Sequence, residues 1–307
     1  MRGLLLRGGI ALLGTLAAGG AHAAEGGTGH YMPGALATII DLPPTQPGWV
    51  VEAAGVHYDA DVSFTLPVAG LTTAGLDVEV DVFLLGGFYT FELPTEGLFY
   101  SLGGFAPWVW VEAEASVQTP FGSVSRRDTA SGLGDVTLIP AMLAWKRVQL
   151  PIYAPTGDYE EGELANPGLN YWTFDPTIGA AYNNEKIGFN AALHLGVAFN
   201  TENPDTDYRS GHLFHAEASL QQLLPLGSGF VGVGAEAFFL DQITGDSGSG
   251  ARLGDFERRS WGVGPVLSYV LPRGGHNFVA ELRWLPELGT ERQLEGDYVW
   301  LKLVYQF

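Results

Sequence analysis

Apolar and polar residues alternate along much of this chain. Across 186–200, Ile187, Phe189, Ala191, Leu193, Leu195, Val197 and Phe199 fall on one side of an extended segment. Asn190, Ala192, His194, Gly196, Ala198 and Asn200 fall on the other. A period of two held over such a length predicts a strand with one apolar and one polar face. The pattern returns across 211–224, where Phe214, Ala216, Ala218 and Leu220 oppose His215, Glu217, Ser219 and Gln221. It returns again where Val231, Val233, Ala235, Ala237 and Phe239 oppose Gly232, Gly234, Glu236 and Phe238, and where Phe278, Ala280, Leu282 and Trp284 oppose Asn277, Glu281 and Arg283.

About twelve such segments are predicted: 49–58, 78–92, 98–115, 134–146, 148–155, 171–183, 187–200, 211–224, 229–243, 258–271, 276–285 and 297–307. Their connections alternate, long at 59–77, 116–133, 156–170, 201–210, 244–257 and 286–296, and short at 93–97, 147, 184–186, 225–228 and 272–275. Alternating loop lengths and an even strand number are the plan of an antiparallel transmembrane β-barrel, with its short turns in the periplasm. A soluble sandwich also alternates, but it buries its aromatic face against a second sheet. Here the apolar faces end in Trp172 and Tyr182, Trp261 and Tyr269, Phe278 and Trp284, and such rings settle at membrane interfaces. The expected fold is therefore all-β, an outer-membrane barrel spanning 48–307. Charges are costly on the lipid side, so Asp175, Asn190, His194, His215, Glu217, Glu236, Glu281, Arg283 and Lys302 are the candidates to line the lumen. Val299, Leu301, Leu303, Tyr305 and Phe307 form a terminal aromatic strand. Tyr305 and Phe307 are its expected signal to the barrel-assembly machinery.

The first 23 residues read differently. Arg2 and Arg7 precede a short apolar core, and Ala21-His22-Ala23 is a small-x-small cleavage site, so a removable signal peptide is expected over 1–23. The core is too short to anchor in a bilayer, and no other apolar run reaches about 18 residues. Residues 24–47 are rich in Gly and Pro. They are expected either to hang in the periplasm or to plug the lumen, since larger barrels are often occluded from within. His30, Tyr31, Pro33 and Gly34 are the candidate gate.

Composition narrows the function classes. With 34 acidic residues against 15 basic ones and a net charge of −19, the chain lacks the basic footprint that nucleic acid requires. It has no Cys, which removes disulfides and thiolate metal sites, and no cofactor or metal motif is recognised. A lipid hydrolase needs a serine beside a histidine. His215 and Ser219 share a face, but it is the polar one, and no Gly-x-Ser-x-Gly elbow is present. The carboxylates of Glu112, Glu114 and 158–161 read as solvated surface, and the oxygen-rich stretches 203–207 and 245–248 read as turns that match no Ca²⁺-loop template.

Several motifs occur in a telling order: His30-Tyr31-Met32-Pro33-Gly34, Gly132-Leu133-Gly134-Asp135, Tyr153-Ala154-Pro155-Thr156-Gly157-Asp158, Asn170-Tyr171-Trp172-Thr173-Phe174-Asp175-Pro176, Asn200-Thr201-Glu202-Asn203 and 246–251. Together they resemble the family known as the meta-pathway of phenol degradation, or SphA-like proteins. One departure is the short stretch Lys146-Arg147-Val148-Gln149, where the family has more strand and turn. The resemblance implies an outer-membrane barrel that transports hydrophobic or aromatic small molecules. Its polar ladder would guide the solute, and its partners would be outer-membrane lipids, lipopolysaccharide, the barrel-assembly machinery and the solute itself. The alternatives are a barrel that senses or binds without conducting, a purely structural barrel, and a lipid-modifying enzyme.

Overall fold

The computed structural model describes residues 29–64, 73–119, 122–144, 148–251 and 257–307. The signal peptide expected over 1–23 and the start of the segment that follows it lie outside the described residues. So does most of the short stretch around Lys146.

The chain forms β1 (Gly48–Phe64), β2 (Thr73–Glu92), β3 (Phe99–Thr119), β4 (Gly122–Leu133), β5 (Val136–Leu143), β6 (Val148–Gln149), β7 (Ile152–Ala154), β8 (Thr173–Phe174), β9 (Thr177–Asn184), β10 (Phe189–Asn200), β11 (Leu213–Leu226), β12 (Gly229–Gln242), β13 (Arg259–Arg273), β14 (His276–Glu291) and β15 (Glu295–Gln306). β4 with β5, β6 with β7 and β8 with β9 each occupy one position in the wall, so these elements build a closed antiparallel barrel of twelve strands. Closure is made by β1 against β15, in register from Val50↔Gln306 to Asp61↔Glu295. Phe307 N–H donates to the Trp49 carbonyl at 2.9 Å and Trp49 N–H returns the bond at 2.8 Å. Closure leaves no strand edge for lipid to meet with unsatisfied backbone groups.

Alternate burial follows the alternate pattern. On β13, Trp261, Val263 and Leu267 are exposed while Ser260, Val266 and Ser268 are buried. Trp284, Leu282, Leu301, Leu303, Leu193 and Leu220 are also exposed. This apolar outer surface is what a bilayer covers.

Two parts depart from the expected layout. The stretches 59–77, 116–133 and 286–296, expected as loops, are largely strand: β1 runs on to Phe64, β2 starts at Thr73, β3 and β4 are separated by only 120–121, and β14 runs on to Glu291 with β15 starting at Glu295. Carboxylates at Asp59, Asp61 and Asp77 hid the first of these ends, and the charged run Arg126-Arg127-Asp128 the second. The strands continue past the roughly 9–11 residues a bilayer needs and there show acidic side chains to water. The second departure is the broken wall around β4–β9. Gly134-Asp135 interrupts one position, Leu150-Pro151 the next and Asp175-Pro176 the third. Proline has no N–H to give a ladder. The breaks turn Asp135 and Asp175 inward, where both are buried.

Candidate functional site

The chain ahead of β1 lies inside the barrel. It runs from Gly29 near the outer mouth to Gly48 at the end that holds the short turns, and its one regular element is a 3-10 turn, Ile39–Asp41. Most of its polar contacts fall on β10–β15. The Tyr31 hydroxyl donates to Glu217, and Gly34 N–H donates to the other oxygen of the same carboxylate at 2.9 Å. The Tyr31 ring stacks on His215, with centroids 3.6 Å apart. Arg283 donates to the Gly34 carbonyl and to Asp41, the latter at 3.0 Å, and also pairs with Glu281. Glu236 lies 3.5 Å from the same guanidinium. Lys302 Nζ donates to the Ala35 carbonyl and to Asp41, both at 2.7 Å. Trp300 Nε1–H donates to the Pro33 carbonyl at 2.8 Å, and Thr38 donates to Glu281 at 3.1 Å. His194 Nε2 reaches the Thr38 carbonyl at 3.3 Å.

At the outer end His30 is held by two carriers on the broken wall. Its Nε2–H donates to Asp135 at 2.9 Å, and its Nδ1 is hydrogen-bonded to Thr173 Oγ1 at 2.7 Å. Its ring stacks on Tyr153 and meets the edge of Tyr171. Asp175 accepts from His215 Nε2–H at 2.8 Å. Gly196, opposite His215, is required here: a Cβ would come within 2.3 Å of that ring. Gly34 has a φ of +89°, and a Cβ on it would sit 2.5 Å from Trp300 Nε1, so only glycine fits.

Burial and charge set the state of the docked groups. Burial pushes the Tyr31 hydroxyl up, and the neighbouring Glu217 carboxylate pushes it the same way, so Tyr31 stays a donor. For Asp41 burial also acts upward, but Lys302 and Arg283 outweigh it and hold the carboxyl well below the ordinary carboxylate range.

The other wall is different. An elongated cavity of about 330 Å³ runs between the N-terminal segment and β1–β3. From β2 it takes Leu76, Val78, Val80, Val82, Leu84 and Phe88, and β1 and β3 add Ala54, Val56, Val109 and Val111. Leu76 to Phe88 at about 3.3 Å per residue, on strands tilted roughly 40°, gives a length of about 30 Å. Such a volume over that length has the bore of an alkyl chain or one ring. Below it Val50, Phe88, Ile139 and Met142 pack together with Ile40.

All nine lumen candidates, Asp175, Asn190, His194, His215, Glu217, Glu236, Glu281, Arg283 and Lys302, are buried. Only Lys302 borders the cavity, with His30 and Tyr31 of the N-terminal segment. Ser219 is four residues from His215 on one strand, about 13 Å away, so the two do not form a nucleophile–base pair. The oxygens of 245–248 and 203–207 bind within the protein: Asp246 accepts from Tyr208, from Gly211 N–H and from Gln242, and Asn170 donates to Asn203 and Asp205.

Residues 62–303 match the model of a family described as the MetA-pathway of phenol degradation. The chain belongs to this family. No curated protein matches the sequence significantly. Among solved structures, an outer-membrane channel from Pseudomonas putida F1 is similar in fold, with a TM-score of 0.57 at 14% identity, covering 90% of this chain and 100% of that one. The β domain of the Bordetella autotransporter BrkA aligns with a TM-score of 0.40 at 12% identity, over 85% of this chain and 100% of that one. The transport unit of the Escherichia coli autotransporter AIDA-I gives 0.41 at 11%, over 89% and 95%. With its closed barrel and apolar outer surface, this family member resides in the bacterial outer membrane.

Sequence reasoning missed Asp41, Asp135, Glu52 and the whole apolar wall. Asp135 closes the Gly132-Leu133-Gly134-Asp135 motif, which marked the place without its role. Asp41 follows the one apolar stretch of the N-terminal segment, and a lone carboxylate there carries no signal of two buried cations waiting for it.

Proposed function

We propose that this barrel passes hydrophobic small molecules across the outer membrane, and that the N-terminal segment 29–47 is a plug beside which they travel. The observation that carries this reading is the apolar cavity between the segment and β1–β3. Its lining suits a solute without charge, because a charged one would lose hydration against Val and Leu side chains with nothing in return. The polar wall then serves the plug, and the apolar wall serves the solute. The test is uptake by liposomes carrying the purified barrel. Toluene-sized apolar solutes should enter faster than into empty liposomes, sugars of similar size should not, and Val80→Trp should reduce apolar uptake severalfold. Equal uptake by wild type and Val80→Trp would sink the reading.

A second reading, a barrel that binds without conducting, is favoured by one feature. The packed cluster of Val50, Phe88, Ile139 and Met142 with Ile40 crowds the lower end of the cavity. Saturable solute binding with no flux, with the segment present or deleted, would favour it.

A further inference from the structure

The cavity wall built by β1–β3 carries a single charged side chain, Glu52. Its neighbours on the inward face of β1 are Val50, Ala54, Val56 and Tyr58. The other acidic groups at the cavity are engaged, Asp41 by Lys302 and Arg283 and Asp135 by His30. Glu52 makes no hydrogen bond and no ion pair within 4.0 Å with the described residues; the charges of Lys302 and Arg283 act on it only from farther off, and both already pair with Asp41. It is half-buried and lines the cavity near the end where Val50 and Phe88 pack. Gly86 stands directly across from it on β2, so no side chain on that strand covers it. A carboxyl group kept in an apolar wall without a partner loses hydration for nothing unless a ligand supplies a donor.

We propose that Glu52 selects hydrophobic solutes that bear one neutral hydroxyl over hydrocarbons of the same shape. This rests on the cavity being the solute path. The apolar body lies along Val78–Leu84, and its hydroxyl donates to Glu52 at the inner end. A carboxylate solute is refused, because its charge would meet Glu52 and the cation at that end, Lys302, is already paired with Asp41. An ammonium solute loses its hydration along the same wall. A neutral alcohol loses least and gains one bond.

The experiment uses the full-length barrel in nanodiscs. Binding of para-fluorobenzyl alcohol, para-fluorotoluene and para-fluorobenzoate is followed by fluorine NMR. Wild type is expected to bind the alcohol about tenfold more tightly than the toluene and the benzoate not at all. Glu52→Leu should bring the alcohol-to-toluene ratio near unity while toluene affinity stays within about twofold. Glu52→Gln, which keeps an acceptor, should hold most of the preference and guards against loss through misfolding; heat-modifiable gel migration checks both variants. If Glu52→Leu binds both probes with the wild-type ratio, the role of Glu52 is overturned and the cavity reading stands. If wild type binds no probe above the level of Val80→Trp, the cavity reading falls, and this proposal with it.

Discussion

The two sides of the lumen are made from the same strand pattern and do opposite work. On β10–β15 many inward positions are polar, among them His194, His215, Glu217, Glu236, Glu281, Arg283 and Lys302, and the N-terminal segment touches all of these but Glu236, which faces Arg283. On β1–β3 the inward positions are mostly Val, Leu and Ala, and the segment leaves them facing a cavity. A polar group buried without a partner costs free energy, whereas an apolar wall beside a dry gap costs far less. The segment therefore leans to the polar wall, and the unfilled volume appears at the other. Position within the lumen is set by which wall needs a partner, not by which has room.

The strongest way to break this contrast is at Arg283. Arg283→Met removes the cation shared by Glu281, Glu236 and Asp41 and leaves buried carboxylates uncompensated, at a cost of about 3–5 kcal/mol. The folded band on unboiled gels should vanish at a clearly lower temperature, and ion conductance should rise as the segment lets go. Gly34→Val should cost about 2–3 kcal/mol through its left-handed backbone and the collision with Trp300. Limited proteolysis followed by mass spectrometry should then find cuts within 30–41 that wild type resists. On the apolar wall, Val82→Asn should cost about 1–2 kcal/mol and leave 30–41 protected, while apolar solute binding drops about tenfold. Loss of protection there would mean that the walls are not independent. Tyr31→Phe removes one donor from Glu217, which keeps Gly34 N–H, so about 1 kcal/mol is expected, visible as a small rise in cleavage.

The smallest effect is that of mild acid. The docked carboxyl of Asp41 titrates below its ordinary value, so its contribution is full at pH above that value and is lost only as pH falls through the lower, docked one. Protection of 30–41 should be unchanged between pH 7 and pH 5 and weaken only in strong acid. Release by pH 5 would show that another group governs docking.

These contrasts also explain what could be read from the chain. Alternation in β10–β15 is plain because polarity changes at every step: His215, Glu217 and Ser219 inside, Phe214, Ala216 and Leu220 outside. In β2 the rule inverts. Val78, Val80 and Val82 face inward while Asp77, Glu79 and Asp81 face outward at the end beyond the bilayer. Period two survives there, but polarity no longer tells inside from outside, because water covers the outer face and a cavity meets the inner one. The place of residues 29–47 was open for a related reason. It offers its own carbonyls, the Gly34 N–H and single side chains to wall side chains spread over five strands, and no local pattern encodes a contact more than 180 residues away.

The seam between β1 and β15 carries a further implication for assembly. The residues that grip the segment most firmly, Arg283 and Lys302, sit on β14 and β15, the strands made after all others, while the segment is tethered directly to β1. Its final contacts can form only once the two ends of the sheet approach one another. The threaded segment is thus a splint laid across the join: Asp41 draws the late strands toward the early one, and its protection from protease reports the moment at which the wall becomes continuous.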